Sequence, residues 1–214
     1  MMLKITANTD IRTFKKDDTI ELQFADGLCV IVGENGSGKS TITHAIKGNF
    51  VKNNKAKFVG NSLNNSDISS LSKCFDIESD YDYCYSVDFH LDNPLASNNS
   101  YDAVEFLMNG GHATQHKSHG ECQFYMLGRV IQQLEQRRKS HSTEKVLLIL
   151  DEPECGLSIP KQFKMSENMI PGLIEKYNID LLIMTHNSIL VSTVKQVFDM
   201  SCKKYVKATD YLLS

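Results

Sequence analysis

The residues of this chain with the types and spacing to do chemistry fall in two short runs. The first, Gly33-Glu34-Asn35-Gly36-Ser37-Gly38-Lys39-Ser40, fits G-x-x-x-x-G-K-[ST] at every fixed position. Its glycines let consecutive backbone N–H groups turn inward around phosphate oxygens without a Cβ in the way. Lys39 supplies a point charge for the β- and γ-phosphates of a nucleotide. The Ser40 hydroxyl is placed to ligate Mg²⁺, and Thr41 follows it on the nucleotide-facing side. The second run, Val146 to Leu150, is apolar and closes on Asp151 and Glu152. Two adjacent like charges at the tip of a buried run are unfavourable unless a cation or a base role compensates them. A Mg²⁺ shared by Ser40 and Asp151 supplies the cation. Glu152 is then the group to orient and deprotonate an attacking water.

These runs need strands and helices to hold them. Leu28–Val32 is a continuous apolar stretch, as a central parallel strand requires, and it leads into the glycine-rich turn. A helix follows from about Lys39 to Lys47, with Gly48 and Asn49 as its stop. Thr19–Phe24 alternates as a half-buried strand, and Tyr83–Leu91 reads as another. Asn53–Ser72 is rich in Asn and Ser and reads as an irregular insertion, Asn93–Ser100 as a loop, and Tyr101–Met108 as a helix. Phe124, Leu127, Ile131 and Leu134 recur at helical spacing within Ser118–Lys139. A helix is expected between about Lys161 and Tyr177, interrupted by Pro171, and Ile179–Met184 is a last buried strand ending in Thr185-His186. Strands alternating with helices predict an α/β layered domain with a largely parallel core sheet. No repeat or sustained heptad is present.

Taken in order, these motifs resemble those of the ABC-type ATPases, most closely the soluble branch that includes chromosome-maintenance and repair ATPase heads and small bacterial and phage ATPases. Gly33–Ser40 resembles Walker A, and Leu147–Glu152 resembles Walker B with its catalytic glutamate. Pro153-Glu154-Cys155-Gly156-Leu157-Ser158 resembles the D-loop, and Thr185-His186-Asn187-Ser188 the switch-histidine segment. Lys117-Ser118-His119-Gly120-Glu121 resembles the S-x-G-[QE] core of the signature motif. The same residues also read as an N-capping serine with a glutamate three positions on. The resemblance implies a P-loop NTPase with an ABC-type core sheet, an N-terminal antiparallel β part and a small helical lobe. It implies one domain over residues 1–214, with 49–117 as an inserted lobe or irregular region. ATP and Mg²⁺ are the implied cofactors. His186 is expected to contact the γ-phosphate, and Ser118 and Gly120 to form an anion site at a helix start. Arg12, with Phe14, is the candidate for the adenine. The family's Q-loop glutamine has no clear match, and Asp88 or His90 stands in its place.

One chain cannot close both Walker motifs and the signature helix on the same ATP. The resemblance therefore implies a homodimer across two ATP molecules, each Ser118 capping the γ-phosphate held by the partner's Lys39. An effector or nuclease partner in nucleic-acid maintenance or defence is expected, with nucleic acid itself an open partner. The alternatives are a transporter's ATP-binding subunit and a slow, non-hydrolytic regulator. The net charge of −3 gives no strong field toward nucleic acid or anionic membrane, and Arg137-Arg138-Lys139, the only compact basic run, reads as a solvated helix end. No apolar stretch is long enough to span a bilayer, and the first residues have no signal-peptide core. The six cysteines, Cys29, Cys74, Cys84, Cys122, Cys155 and Cys202, have no metal spacing and fit a reducing cytoplasm. His112, His116 and His119 lie close together, but no carboxylate or cysteine completes a zinc site.

Overall fold

A computed structural model describes residues 2–58, 66–89 and 119–214. Its strands are β1 (Met2–Ala7), β2 (Thr19–Gln23), β3 (Leu28–Val32), β4 (Ala56–Phe58), β5 (Phe75–Ser79), β6 (Tyr83–Asp88), β7 (Val146–Asp151), β8 (Asp180–Met184), β9 (Gln196–Asp199) and β10 (Lys204–Lys207). Its helices are α1 (Lys39–Lys52), α2 (Ser66–Leu71), α3 (His119–Ser140), α4 (Ile159–Lys164), α5 (Ile170–Tyr177), α6 (Ser188–Ser192) and α7 (Ala208–Leu212). Among the described residues, the strands form a 3-stranded sheet in the order β2-β1-β5 and a 7-stranded sheet in the order β10-β9-β3-β8-β7-β6-β4. The small sheet is antiparallel. The large one is parallel from β9 to β4, with β10 antiparallel at the edge.

Every residue of β7 and β8 is buried. Helices cover both faces of such a sheet, which explains why these strands are apolar runs without alternation. β7 and β8 alternate their side chains between two cores. One, which includes Cys84, Leu147, Ile149 and Leu182, packs under α1 and the small sheet. The other, which includes Tyr85, Leu148, Leu150 and Leu181, packs under α3 and α5. The carboxyl ends of the central strands meet along one edge, where ligands bind in open α/β sheets.

Several expectations are corrected. Helix α1 does not stop at Gly48 but runs on to Lys52. Gly48 is a contact point: a Cβ there would lie 2.4 Å from Ser72 Cβ and 2.6 Å from Ile68 O. Alanine at this position is therefore expected to lower stability by about 1–3 kcal/mol through overpacking. At an open helix position the same change stabilises by up to ~1 kcal/mol. Urea unfolding decides the sign, and a more stable Gly48→Ala protein would mean that α2 does not pack there.

The stretch 53–72 is not wholly irregular, since it carries β4 and α2. More broadly, within 49–117 the strands β4 and β6 belong to the large sheet and β5 to the small one. The expected loop 93–100 and helix 101–108 lie outside the described residues. The basic run at the end of α3 is not simply solvated. Arg137 donates to both oxygens of Glu144 at 2.6 and 2.9 Å and lies 3.4 Å over the Tyr83 ring. Arg138 donates to the carbonyls of Tyr177 and Asn178, both at 2.9 Å, capping the end of α5.

The helix read across Pro171 is three pieces: α4, a π-helical turn at Met165–Met169, and α5. Proline lacks an N–H, and its ring would strike the carbonyl four residues back. The wider turn just before it removes that clash.

Candidate nucleotide site

The turn Gly33–Ser40 leaves the end of β3 and opens α1. Gly33, Gly36 and Gly38 all have positive φ, at 139°, 83° and 106°. Gly38 shows why the pattern needs glycine. Its φ is left-handed, and a Cβ would also sit 2.7 Å from Thr13 Oγ1 and 2.9 Å from Phe14 Cε2. The β1–β2 loop rests on the turn at this point: Thr13 Oγ1 donates to Ser37 O at 3.0 Å, and Arg12 Nη1 donates to Thr41 Oγ1 at 3.0 Å.

Gly38, at the start of α1, makes no side-chain capping bond. The first-turn N–H groups of this helix are thus presented to whatever the turn encloses. Lys39 is 7% exposed, and its ammonium donates to Gly33 O at 2.7 Å and Glu34 O at 3.1 Å. Burial lowers its pKa, and the charges of Glu152, Asp151 and Asp199 oppose that shift. Ser37 Oγ is buried with no hydrogen-bond partner among the described residues, and Ser40 is exposed. A buried cation, uncapped amides and an unpaired hydroxyl around one turn fit an anion with several oxygens.

Asp151 and Glu152 lie two strands from β3, with β8 between, and Asp88 lies one strand further on. Asp151 ends β7 and Asp88 ends β6; the two are direct partners in the parallel register, and both are buried. Burial first, and the Asp88 charge second, push the Asp151 carboxyl up to about 7. Lys47, two turns beyond Lys39 on α1, is fully buried, and its Nζ has no hydrogen-bond partner among the described residues. Its charge partly offsets this shift. Glu152 follows at φ 51°, a left-handed conformation uncommon for a residue with a Cβ. Such outliers persist where the surroundings over-determine them and cluster at functional sites. The N–H of Glu152 donates to Met184 O at 2.9 Å. Its Oε1 lies 3.5 Å from Nε2 of His186, which follows β8. Burial first, and the Lys39 charge second, lower the His186 pKa, and the Glu152 charge opposes them.

Among the described residues no three His, Cys, Asp or Glu side chains form a metal-holding group. The donors fit Mg²⁺ in another way. One or two carboxylates plus a hydroxyl and phosphate oxygens are its usual set, and Asp151, Asp88 and Ser40 are of those kinds.

The raised Asp151 pKa has a consequence for stability. Its unperturbed value is 3.8 and its folded value about 7, so the folded chain holds the proton more tightly. Its contribution to stability is present below pH 4 and is lost as pH rises to 7. A tenfold difference in proton affinity between the folded and unfolded chain corresponds to ~1.4 kcal/mol. Asp151→Asn is therefore expected to stabilise the nucleotide-free protein by about 2 kcal/mol or more at pH 8. It should change little at pH 4. Thermal unfolding in EDTA at both pH values checks this, and a lower melting temperature for the variant at pH 8 would contradict it.

The structure thus brings together Arg12, Gly33 to Thr41, Asp151, Glu152 and His186. Phe14 is corrected as an adenine candidate: it is 1% exposed and packs edge-on against Phe75. Gly120 lies in the first turn of α3. Ser118, His90, His112 and His116 lie outside the described residues. Sequence reasoning missed Lys47, although its spacing of eight from Lys39 along one helix was a usable signal. It placed Glu154 in the segment resembling the D-loop but missed its contact with Thr185 and His186, which depends on a distant strand.

A family model described as an AAA domain matches residues 9–198. No curated protein matches the chain significantly. Among solved structures, a metal-chelate-type ABC transporter in an inward-facing conformation is similar at 19% identity and a TM-score of 0.56, over 99% of this chain and 85% of that one. MJ1267, an ATP-binding cassette of an ABC transporter in its ADP conformation, is similar at 15% identity and a TM-score of 0.51, over 100% of this chain and 96% of that one. The dimeric MJ0796, a bacterial ABC transporter cassette, is similar at 14% identity and a TM-score of 0.50, over 97% and 99%. With its matched glycine-rich turn, acid-ended strand and sheet order, the chain belongs to this family of AAA domains and has the P-loop fold of the ABC-type ATPase cassettes.

Proposed function

We propose that residues 1–214 form one ATPase domain that binds MgATP, pairs with a second copy around it, and hydrolyses it to ADP and phosphate. The observation that carries this reading is the buried Lys39 ammonium beneath a left-handed glycine turn, with Asp151 and Glu152 on a strand end facing it. The turn's amides and Lys39 bind the phosphates. Ser40 and Asp151 would hold Mg²⁺, with Asp88 beside Asp151. When bound, the ion screens phosphate charge and supplies Lewis acidity. Glu152 takes the proton of the attacking water, and His186 orients Glu152 and reaches the γ-phosphate. Arg12, which donates to Thr41 beside the turn, is the candidate contact for the nucleoside. Ser118 and Gly120 of a second copy complete the site over the γ-phosphate. ATP then favours the closed pair, and ADP, lacking the gripped group, does not. The dimeric MJ0796 cassette is a neighbour in fold and supports such pairing.

The output is a cytoplasmic switch or motor acting on a separate effector or nuclease, with nucleic acid an open ligand. The transporter alternative draws support from the cassettes among the neighbours. No helix among the described residues is long and apolar enough to cross a membrane. Calorimetry with MgATP, followed by phosphate release and light scattering in ATP and in ADP, tests the core reading. No heat of binding from folded protein would end it. Co-purification with a membrane subunit would select the transporter alternative.

A further inference from the structure

Two straps join the turn after β7 to the segment after β8. The first is Glu154. Its side chain is 9% exposed, and its Oε1 accepts from the Thr185 hydroxyl and, at 3.3 Å, from the His186 N–H. Thr185, fully buried, accepts in turn from the Asn187 N–H at 2.8 Å. The second strap is Gln162. It donates to Leu157 O at 2.8 Å and accepts from Asn187 Nδ2 at 2.9 Å. Asn187 Oδ1 meanwhile caps α6 through the N–H groups of Ile189 and Leu190.

A carboxyl in this place is unfavourable for folding. It is buried, and its second oxygen, Oε2, has no partner among the described residues. Leucine would fill a similar volume and remove the unpaired Oε2, although it would leave the Thr185 hydroxyl and the His186 N–H without their acceptor. A side chain retained against its own burial penalty points to a role other than packing. The two ends it joins carry the proposed base, Glu152, and the histidine 3.5 Å from it. The far end of the strapped turn reaches the surface at Gly156 and Ser158, with Cys155 half-buried between them and the core.

We infer that Glu154, assisted by Gln162, is a positioning residue that makes the 152–157 turn and the 185–187 segment move as one unit. It passes a displacement of His186 on to an exposed surface. This rests on the proposed ATPase reading. Contact of His186 with a γ-phosphate shifts the turn through the Glu154 carboxyl. A partner seated on the turn acts back on His186 along the same path, since coupling between two sites is reciprocal. The strap needs an acceptor at Oε1, not a charge.

Three variants separate this from a structural role. Glu154→Gln keeps the acceptor and should turn ATP over within about threefold of the parent chain. Glu154→Leu, which leaves the Thr185 hydroxyl and the His186 N–H without their acceptor, should still unfold cooperatively, keep its KM for ATP within about threefold, and lose at least tenfold in kcat. Gln162→Leu, which removes the weaker strap, should lose less than Glu154→Leu does. A second readout is the rate of maleimide labelling at Cys155, located by mass spectrometry. MgATP should change that rate in the parent chain and in Glu154→Gln, and not in Glu154→Leu. If the parent binds MgATP while Cys155 labelling ignores it, the coupling is wrong and the ATPase reading stands. If Glu154→Leu keeps its kcat, or Glu154→Gln falls with it, the strap is wrong. A parent chain that binds no MgATP ends the underlying reading instead.

Discussion

Replacing Glu152 with glutamine is expected to slow phosphate release by about 10²–10³-fold, in the range that a positioned general base contributes. MgATP binding should survive. The variant keeps the length and shape of the side chain, and the left-handed backbone at φ 51° is no harder for glutamine than for glutamate. The contact with His186 can persist, because the amide is as long as the carboxylate it replaces. What is lost is the capacity to accept a proton. A chain that binds ATP without cleaving it should accumulate in the ATP-favoured state, so the variant is also expected to elute as a dimer in ATP and a monomer in ADP. Single-turnover phosphate release and size-exclusion chromatography read the two effects. A variant that hydrolyses at the parent rate would remove Glu152 as the base. One that holds ATP yet stays monomeric would remove the paired-chain mechanism.

Lys39→Ala should weaken MgATP binding by at least about 100-fold, close to 3 kcal/mol. The ammonium is buried, and its present partners are two main-chain carbonyls of the turn itself. A phosphate oxygen is a stronger partner for a cation than a neutral carbonyl, so binding exchanges weaker bonds for charge-assisted ones. Alanine removes the cation and leaves both carbonyls without their donor. Lys39→Met tests the charge alone, because it keeps an apolar stem of similar length. Both variants should fail to give heat with MgATP in calorimetry while unfolding cooperatively. Parent-like affinity in Lys39→Met would show that the amides hold the phosphates unaided.

The glycine turn was readable because everything it needs is contiguous. Its residue types state their own backbone requirement, and the structure places all three fixed or intervening glycines at positive φ. The strand Leu28–Val32 and the acid-ended strand at Val146 were readable for a similar reason, since full burial on both faces demands unbroken apolar runs. Misreadings arose where local types were ambiguous. Gly48 looked like a stop because glycine ends helices often, and only the approach of α2 explains it inside α1. Strands β1 and β5 alternate apolar and polar residues, as Leu3-Lys4-Ile5-Thr6 and Phe75-Asp76-Ile77-Glu78, and were legible though not named, whereas β9 and β10 are only four residues each. Phe14 looked like a stacking ring until Phe75 was seen packed against it.

From the sequence alone came the phosphate loop, the acidic strand end and the alternation of strands with helices, because each is encoded in neighbouring residues whose conformational and burial preferences act locally. Tertiary structure alone decided that β8 lies between β3 and β7, that Asp88 stands beside Asp151, and that Glu154 reaches Thr185. Those pairings depend on the order in which crossovers return strands to the sheet, and no local propensity records that order.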